Sequence, residues 1–410
     1  MTFTNFLNKH PESIKLFKVE KEVPLIVHGQ GVFIFKSNNI FPCYFMVYND
    51  DKSSGLSVEF TEDSLKVNEM PSSKPLIDKH NSEGLSKIEG AYYWFSIDSQ
   101  NMRLSAGIGE ARIDTCIYDY TFIDHFNKEF LESLTTIVFD ENNSIKPMRL
   151  LRDPVTLSIP LLVKDTDELS MDDIARGTYM PTANLSLVAQ KLYNCISGKN
   201  FVLDNDAFPE FSKAIEYSIA TPGLWCHEKL KAKANEFSKE KPNVLETYLR
   251  ITLGENNGES PGIPYVMEIW PVGHYSPIHN HGAANAIIRV LHGSINVSLF
   301  PFLSDEVDPF DSHDFNKDNV TWISPTLNQV HQLKNLQSNA DTCITIQTYM
   351  YDQEDTDHYD YFDYMNEKSK SQQYEPDSDM DFVEFKNLMR DEWENRPKSL
   401  FDILASFYGV

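Results

Sequence analysis

A chain of 410 residues exceeds the size at which one hydrophobic core keeps growing, so two domains are expected. With 41% apolar and 24% charged residues it reads as a folded globular protein. Its 61 acidic against 36 basic residues give a formal charge of -25, which excludes a nucleic-acid partner and disfavours an anionic membrane surface, since both demand a cationic face.

The amino terminus has no apolar run behind a basic start, and nowhere do eighteen apolar residues follow one another, so a soluble, cytoplasmic protein is expected. From about Val23 to Val163 the chain reads as strand after strand: "VPLIVHGQGVFIFK", "PCYFMVYN", "LSVEF", "AYYWFSID", "RLSAGIGEARID", "TCIYDYTFI" and "VTLSIPLLV". Short runs of Val, Ile, Phe and Tyr between turn-forming clusters predict a β-sandwich-like domain over 1–165, with one short helix in "HFNKEFLESL". The residues assign this domain no role. Polar, acidic residues 166–184 predict a linker. Helical spacing then appears in "SLVAQKLYNCI" and "LWCHEKLKAKANEFSK", before strands return in "ETYLRITL", "PYVMEIWPV", "AIIRVLHGSINVSLF", "DNVTWIS" and "DTCITIQTYMY". A few helices leading into a compact β-barrel are expected over 185–352, in a chain that is mainly β.

Residues 352–384 hold twelve acidic residues and two lysines, Lys368 and Lys370, so the segment 353–385 is expected to be solvated. Within it "DQEDTDHYDYFD" reads as a hydrated loop rather than a divalent-cation site. Amphipathic spacing returns near the end and predicts a docking helix over 386–410. Cys43, Cys116, Cys195, Cys226 and Cys343 are odd in number, scattered and without C-x-x-C spacing, which leaves buried free thiols.

The chemistry concentrates in "GHYSPIHNHG". Residues two apart on a strand share a face, so His279 and His281 project together, near enough for one metal ion, while His274 faces elsewhere. Such a pair equally fills core or surface positions. His331, in the strand-like "NQVHQLKN", offers a third nitrogen; His292 and His313 compete for that place from a turn and an acidic loop. Three imidazoles on one triangular face leave three positions of an octahedral ion open, which a mononuclear non-haem iron site needs in order to take both substrate and dioxygen.

The spacing G-x5-H-x-H from Gly273, then Gly293, then His331 with Asn335 four residues on, resembles the two cupin motifs. Many cupins place a glutamate shortly after the histidine pair; here Ala284, Asn285 and Ala286 occupy those positions. A three-histidine iron site without that carboxylate is a feature of the thiol dioxygenase branch, and over about 187–352 the chain resembles cysteine dioxygenase. "ETYLRITL" matches the family's Y-x-R strand, and "ITIQTYMY" matches the strand of its active-site tyrosine.

The resemblance implies a double-stranded β-helix (cupin) barrel that holds Fe(II) on His279, His281 and His331. It implies that Arg250 pairs with the substrate carboxylate beside Tyr248, that Tyr349 steers oxygen onto sulfur, and that Thr345, Gln347 and Asn285 stand behind them. The implied activity is an O2-dependent oxidoreductase that takes a small-molecule thiol, L-cysteine, to cysteine sulfinic acid with both oxygen atoms incorporated. Three neutral imidazoles leave the ion its double positive charge, which a substrate thiolate partly offsets.

Two departures bear on this. The cysteine that some members crosslink to the tyrosine corresponds to Ala286, and the family's Ser-His-Tyr series reads Thr345, Gln347, Tyr349. Gln347 keeps hydrogen bonding without proton transfer. Relatives that oxidise 3-mercaptopropionate typically have glutamine where Arg250 stands, which favours cysteine. The alternatives are a dioxygenase for another carboxylate-bearing thiol, such as 3-mercaptopropionate, and a non-catalytic metal- or ligand-binding two-domain cupin. Taken one at a time, Arg250 reads as a strand arginine paired to Glu246 or Glu268, Tyr349 as a core or rim tyrosine, and His331 as a core histidine.

Overall fold

Period-two alternation in the amino-terminal part becomes two six-stranded sheets in the computed structural model, which describes residues 13–15, 21–37, 42–61, 63–80, 91–123, 126–139, 145–156, 158–254, 264–352 and 362–397. One sheet runs Ser13–Lys15, Ile145–Leu151, Gln30–Ser37, Tyr92–Asp98, Arg103–Ile108, Cys116–Thr121. The other runs Glu22–Pro24, Leu134–Phe139, Cys43–Asn49, Gly55–Phe60, Ser64–Met70, Lys74–His80. Their inner faces are joined by rings: Phe45 lies 5.2 Å from Phe33, 5.7 Å from Phe35 and 5.6 Å from Phe95, and Phe60 lies 5.3 Å from Phe35. The steep angles between these rings are the edge-to-face geometry that the ring quadrupole favours. The expected short helix is α1 (Phe126–Glu132).

The chain divides into two units at Ile159/Pro160, with Phe300–Leu303 and Asp308–Phe310 belonging to the first. That boundary precedes residue 165, because β1 (Leu162–Lys164) already pairs with a strand of the second unit, Val320–Ile323. Residues 166–184 differ from a linker as well. They hold α2 (Met171–Arg176), closed by a Ser170–Asp173 capping box and a left-handed Gly177, and β2 (Met180–Pro181), parallel to β1.

Next come α3 (Leu187–Ile196), α4 (Phe211–Ala220) and α5 (Trp225–Ala232). Ser186 caps α3, which buries Ala189, Leu192, Tyr193 and Ile196 at helical spacing. The remaining strands are β3 (Leu249–Leu253), β4 (Tyr265–Trp270), β5 (Asn285–His292), β6 (Ser294–Leu299), β7 (Asp311–Asn316), β8 (Val320–Ile323), β9 (His331–Lys334), β10 (Cys343–Met350), β11 (Phe362–Met365), β12 (Ser371–Tyr374) and β13 (Met380–Asp381). They form a sheet in the order β2-β1-β8-β5-β10-β4-β3-β13, a sheet β7-β6-β9 and the hairpin β11-β12.

From β5 to β10 the chain passes back and forth between the two sheets, and side chains of both, with the hairpin, line one interior cavity. This is the double-stranded β-helix of a cupin-type barrel, in a protein that is mainly β. The β5–β6 reversal turns on Gly293 (φ +69), where a Cβ would lie 2.5 Å from the Thr342 carbonyl oxygen.

Among its described residues, the acidic segment is not a solvated loop. Phe362 and Tyr364 of β11 turn toward the cavity, Asp363 O accepts from Asn280 N at 3.0 Å, and Met365 N donates to Ile278 O at 2.9 Å. The candidate cation loop 352–363 falls mostly outside the described residues. The terminal helix, α6, runs Phe382–Glu394 and buries Phe385 and Met389; the rest of the expected helix, from residue 398, also falls outside. No helix of the described residues is long and apolar enough to cross a membrane.

Candidate metal centre

His279 and His331 face each other as an antiparallel hydrogen-bonded pair, exchanging backbone N–H to O contacts of 3.0 Å in both directions. Such a pair sends both side chains off one face, and His281, two residues on, shares it. Ring centroids lie 4.7 Å apart for His279 and His331, 4.8 Å for His281 and His331, and 5.0 Å for His279 and His281. One nitrogen from each ring lies within 4.8 Å of the others.

The donor set fits a metal ion. Nε2 of His281 and Nε2 of His331 are 3.1 Å apart; adjacent octahedral ligands at roughly 2.1 Å from an ion would stand about 3.0 Å apart. Nδ1 of His279 meets Pro277 O at 3.0 Å and Nδ1 of His331 meets Asn328 O at 3.1 Å. With a proton on each Nδ1, both Nε2 lone pairs point inward. His281 Nδ1 is buried without a hydrogen-bond partner among the described residues. Burial lowers the pKa of all three rings, to about 4 for His279, to about 3 for His331 and well below the ordinary value for His281, so each is neutral near pH 7 and free to ligate.

The chain leaves His281 through a tight turn in which Ala284 N donates to His281 O at 3.0 Å. Gly282 (φ +55) and Ala283 (φ +65) are both left-handed, as a type I′ turn requires. Gln329 braces it, accepting from Ala283 N at 3.3 Å and donating to Ala284 O at 2.9 Å. The other candidate histidines, His274, His292 and His313, stay apart from the set. His274 Nδ1 meets Thr247 O at 2.8 Å, His292 faces Glu216 at 3.5 Å, and His313 packs on Phe315 at 5.0 Å.

Across the cavity, β3, β4 and β10 place Arg250, Glu268 and Thr345 in cross-strand register. Arg250 is buried, and its Nη1 donates to Glu268 Oε1 at 2.8 Å. Glu246, the other partner considered from sequence, instead accepts from Ser238 at 2.5 Å. Gln347 Nε2 donates to Glu268 Oε2 at 2.5 Å and to Thr345 Oγ1 at 3.2 Å, while Gln347 Oε1 accepts from the Tyr349 hydroxyl. Burial pushes the Glu268 carboxyl upward against the pull of Arg250, and pushes the Tyr349 phenol up, so that phenol stays protonated. The Tyr349 ring stacks 5.5 Å from His281, and Tyr248 stacks 4.2 Å from Trp270.

Tyr248, Arg250, Gln347 and Tyr349 thus line the same cavity as the three histidines, with Thr345 behind Gln347. Asn285 does not line it. Its amide donates to Asp352 at 2.8 Å and accepts from Ser186 at 3.3 Å, tying the start of β5 to the cap of α3. Ala286 is the cross-strand partner of Tyr349, on the neighbouring strand where the resemblance sets the crosslinking cysteine.

Sequence reasoning missed the cavity roles of Glu268, Trp270 and Phe237 and of the hairpin residues Phe362, Tyr364 and Tyr374. The signals were a lone carboxylate in the apolar run "YVMEIW" and alternating aromatics in "FDYM".

The chain matches no family model and no curated protein sequence. Solved structures similar to it include the Schizosaccharomyces pombe Cnp3 cupin domain, at 16% identity over 26% of this chain and 65% of that one, with a TM-score of 0.20. The polyketide cyclase RemF from Streptomyces resistomycificus aligns at 15% identity over 25% of this chain and 63% of that one, also with a TM-score of 0.20. A cupin superfamily protein from Desulfitobacterium hafniense aligns at 11% identity over 26% and 79%, again with a TM-score of 0.20. The chain therefore spans just under two thirds of the first two.

Proposed function

We propose that the barrel is a non-haem, Fe(II)-dependent thiol dioxygenase that converts L-cysteine to cysteine sulfinic acid. The observation that supports it most is the donor set: three neutral imidazoles, His281 and His331 buried and His279 part-buried, with no carboxylate among them, facing a guanidinium and a phenol across one cavity. Fe(II) held by His279, His281 and His331 would supply the redox chemistry that lets dioxygen react with a thiolate.

The chain's own residues do the rest. Arg250 keeps N–H donors beyond the one given to Glu268 and uses them to hold the far end of the substrate. Tyr349, kept protonated and fixed by Gln347, presents a hydroxyl beside the metal face. Phe362, with its ring centre 4.6 Å from that of His281, and Tyr364 wall the site against water. In the reaction two S–O bonds form, the O–O bond breaks, and the thiol proton ends on the sulfinic acid.

The test is oxygen uptake by Fe(II)-loaded protein with L-cysteine. One dioxygen is consumed per sulfinate formed, and both product oxygens carry label from labelled dioxygen. Loaded protein that holds iron on three histidines yet consumes no oxygen with cysteine or 3-mercaptopropionate overturns the reading.

A further inference from the structure

Glu268 is the only carboxylate lining the cavity among the described residues, and no motif points to it. It is buried, and both oxygens are engaged, Oε1 by Arg250 at 2.8 Å and Oε2 by Gln347 at 2.5 Å. A guanidinium facing the cavity alone would offer a full positive charge to whatever lies opposite. Here an opposite charge sits at contact distance, so a ligand meets a nearly neutral pair. The guanidinium retains its fork of N–H groups, and with it directionality, but loses much of its electrostatic preference for an anion over an uncharged acceptor. A carboxylate brought to Arg250 also meets repulsion from Glu268.

Resting on the thiol-binding reading above, we propose that Glu268 sets substrate specificity: by neutralising Arg250, it makes the cavity take aminothiols with an uncharged carbonyl acceptor, such as a carboxamide, nearly as well as those with a carboxylate. Glu268 has a second effect that is independent of charge. By holding the Gln347 N–H it turns the Gln347 carbonyl toward the Tyr349 hydroxyl. A test must therefore separate charge from positioning, and a ratio between two near-isosteric ligands does so.

The experiment measures dissociation constants of L-cysteine and L-cysteinamide on the Co(II)-loaded full chain without oxygen, read from the thiolate-to-cobalt absorption band. The unaltered protein is expected to prefer cysteine by less than about tenfold, and Glu268→Gln, which leaves Arg250 uncompensated, to raise that preference by a further factor of about ten. Comparing the two ratios cancels intrinsic differences between the thiols and any equal loss from a displaced Gln347.

A preference above about a hundredfold in the unaltered protein overturns the proposal even if the variant fails to fold. Equal weakening of both ligands by Glu268→Gln also overturns it, reducing Glu268 to a positioning residue, and so does binding of neither thiol. Fe(II)-loaded protein that binds both thiols but consumes no oxygen defeats the dioxygenase reading alone and leaves the two ratios to judge Glu268.

Discussion

The two units build their interiors from β-sheets and use them in opposite ways. In the sandwich, Phe33, Phe35, Phe45, Phe60 and Phe95 fill the space between the sheets with rings. In the barrel, corresponding inward positions carry three histidines, an arginine–glutamate pair, a glutamine and a tyrosine around a cavity. Ring packing yields stability directly. Buried polar groups yield it only while each is satisfied, and otherwise they cost it. The barrel keeps such groups where apolar ones would pack, as the proposed binding of a metal and a polar ligand requires.

Replacing one ligand should break this contrast most severely. His331→Ala is expected to lower metal affinity by more than about a hundredfold, since loss of a ligand's outer partner alone costs 10–100-fold; metal analysis after dialysis checks it. Arg250→Met strands the Glu268 carboxylate and is expected to destabilise the second unit by about 3–5 kcal/mol, whereas the double variant Arg250→Met, Glu268→Leu should recover most of that loss. Denaturant unfolding of both variants measures it, and a double variant as unstable as the single would mean that the pair contributes more than mutual neutralisation.

Phe45→Ala is expected to cost the sandwich about 3–5 kcal/mol through cavity formation, with metal content unchanged. A fall in metal content would end the division of labour between the two interiors. In metal-free protein the native His279 and His331 resist protonation down to about 4 and about 3, while unfolded histidines take protons from about pH 6.5. The unfolded state then binds more protons, so stability should fall as pH drops below that value toward about 4; bound metal should blunt the fall. The smallest effect is expected at the turn after His281, where Ala283→Gly removes a left-handed alanine and should gain about 1 kcal/mol, read as a raised melting temperature.

What could be read without coordinates follows from periodicity. The sandwich strands Gln30–Ser37, Cys43–Asn49, Gly55–Phe60, Tyr92–Asp98, Arg103–Ile108 and Cys116–Thr121, the helix beginning at Leu187 and the shared face of His279 and His281 were legible because alternation and helical spacing report side-chain direction, whereas Ser64–Met70, Lys74–His80, Leu134–Phe139 and Ile145–Leu151 were missed. The partnering of Arg250 was legible only as a choice between Glu246 and Glu268, because a carboxylate in a sequence looks the same whether it faces water or a cation; register puts Glu268 beside it. The hairpin was hidden by composition. Twelve acidic residues outweighed two aromatics at alternate positions, although those two decide where the strand lies. Asn285 stood next in sequence to the right positions, and pairing turned its amide outward to Asp352.

The hairpin makes the length of the protein a chemical variable. Proteolytic trimming back to Asp352 would spare His279, His281 and His331, yet remove the aromatic shelf over His281, the strand that clasps Ile278 and Asn280, and with them β13 and α6. On the proposed reading, such a shortened protein is expected to retain the three ligating imidazoles with their metal face open to solvent, and to consume oxygen without coupling it to a bound thiol.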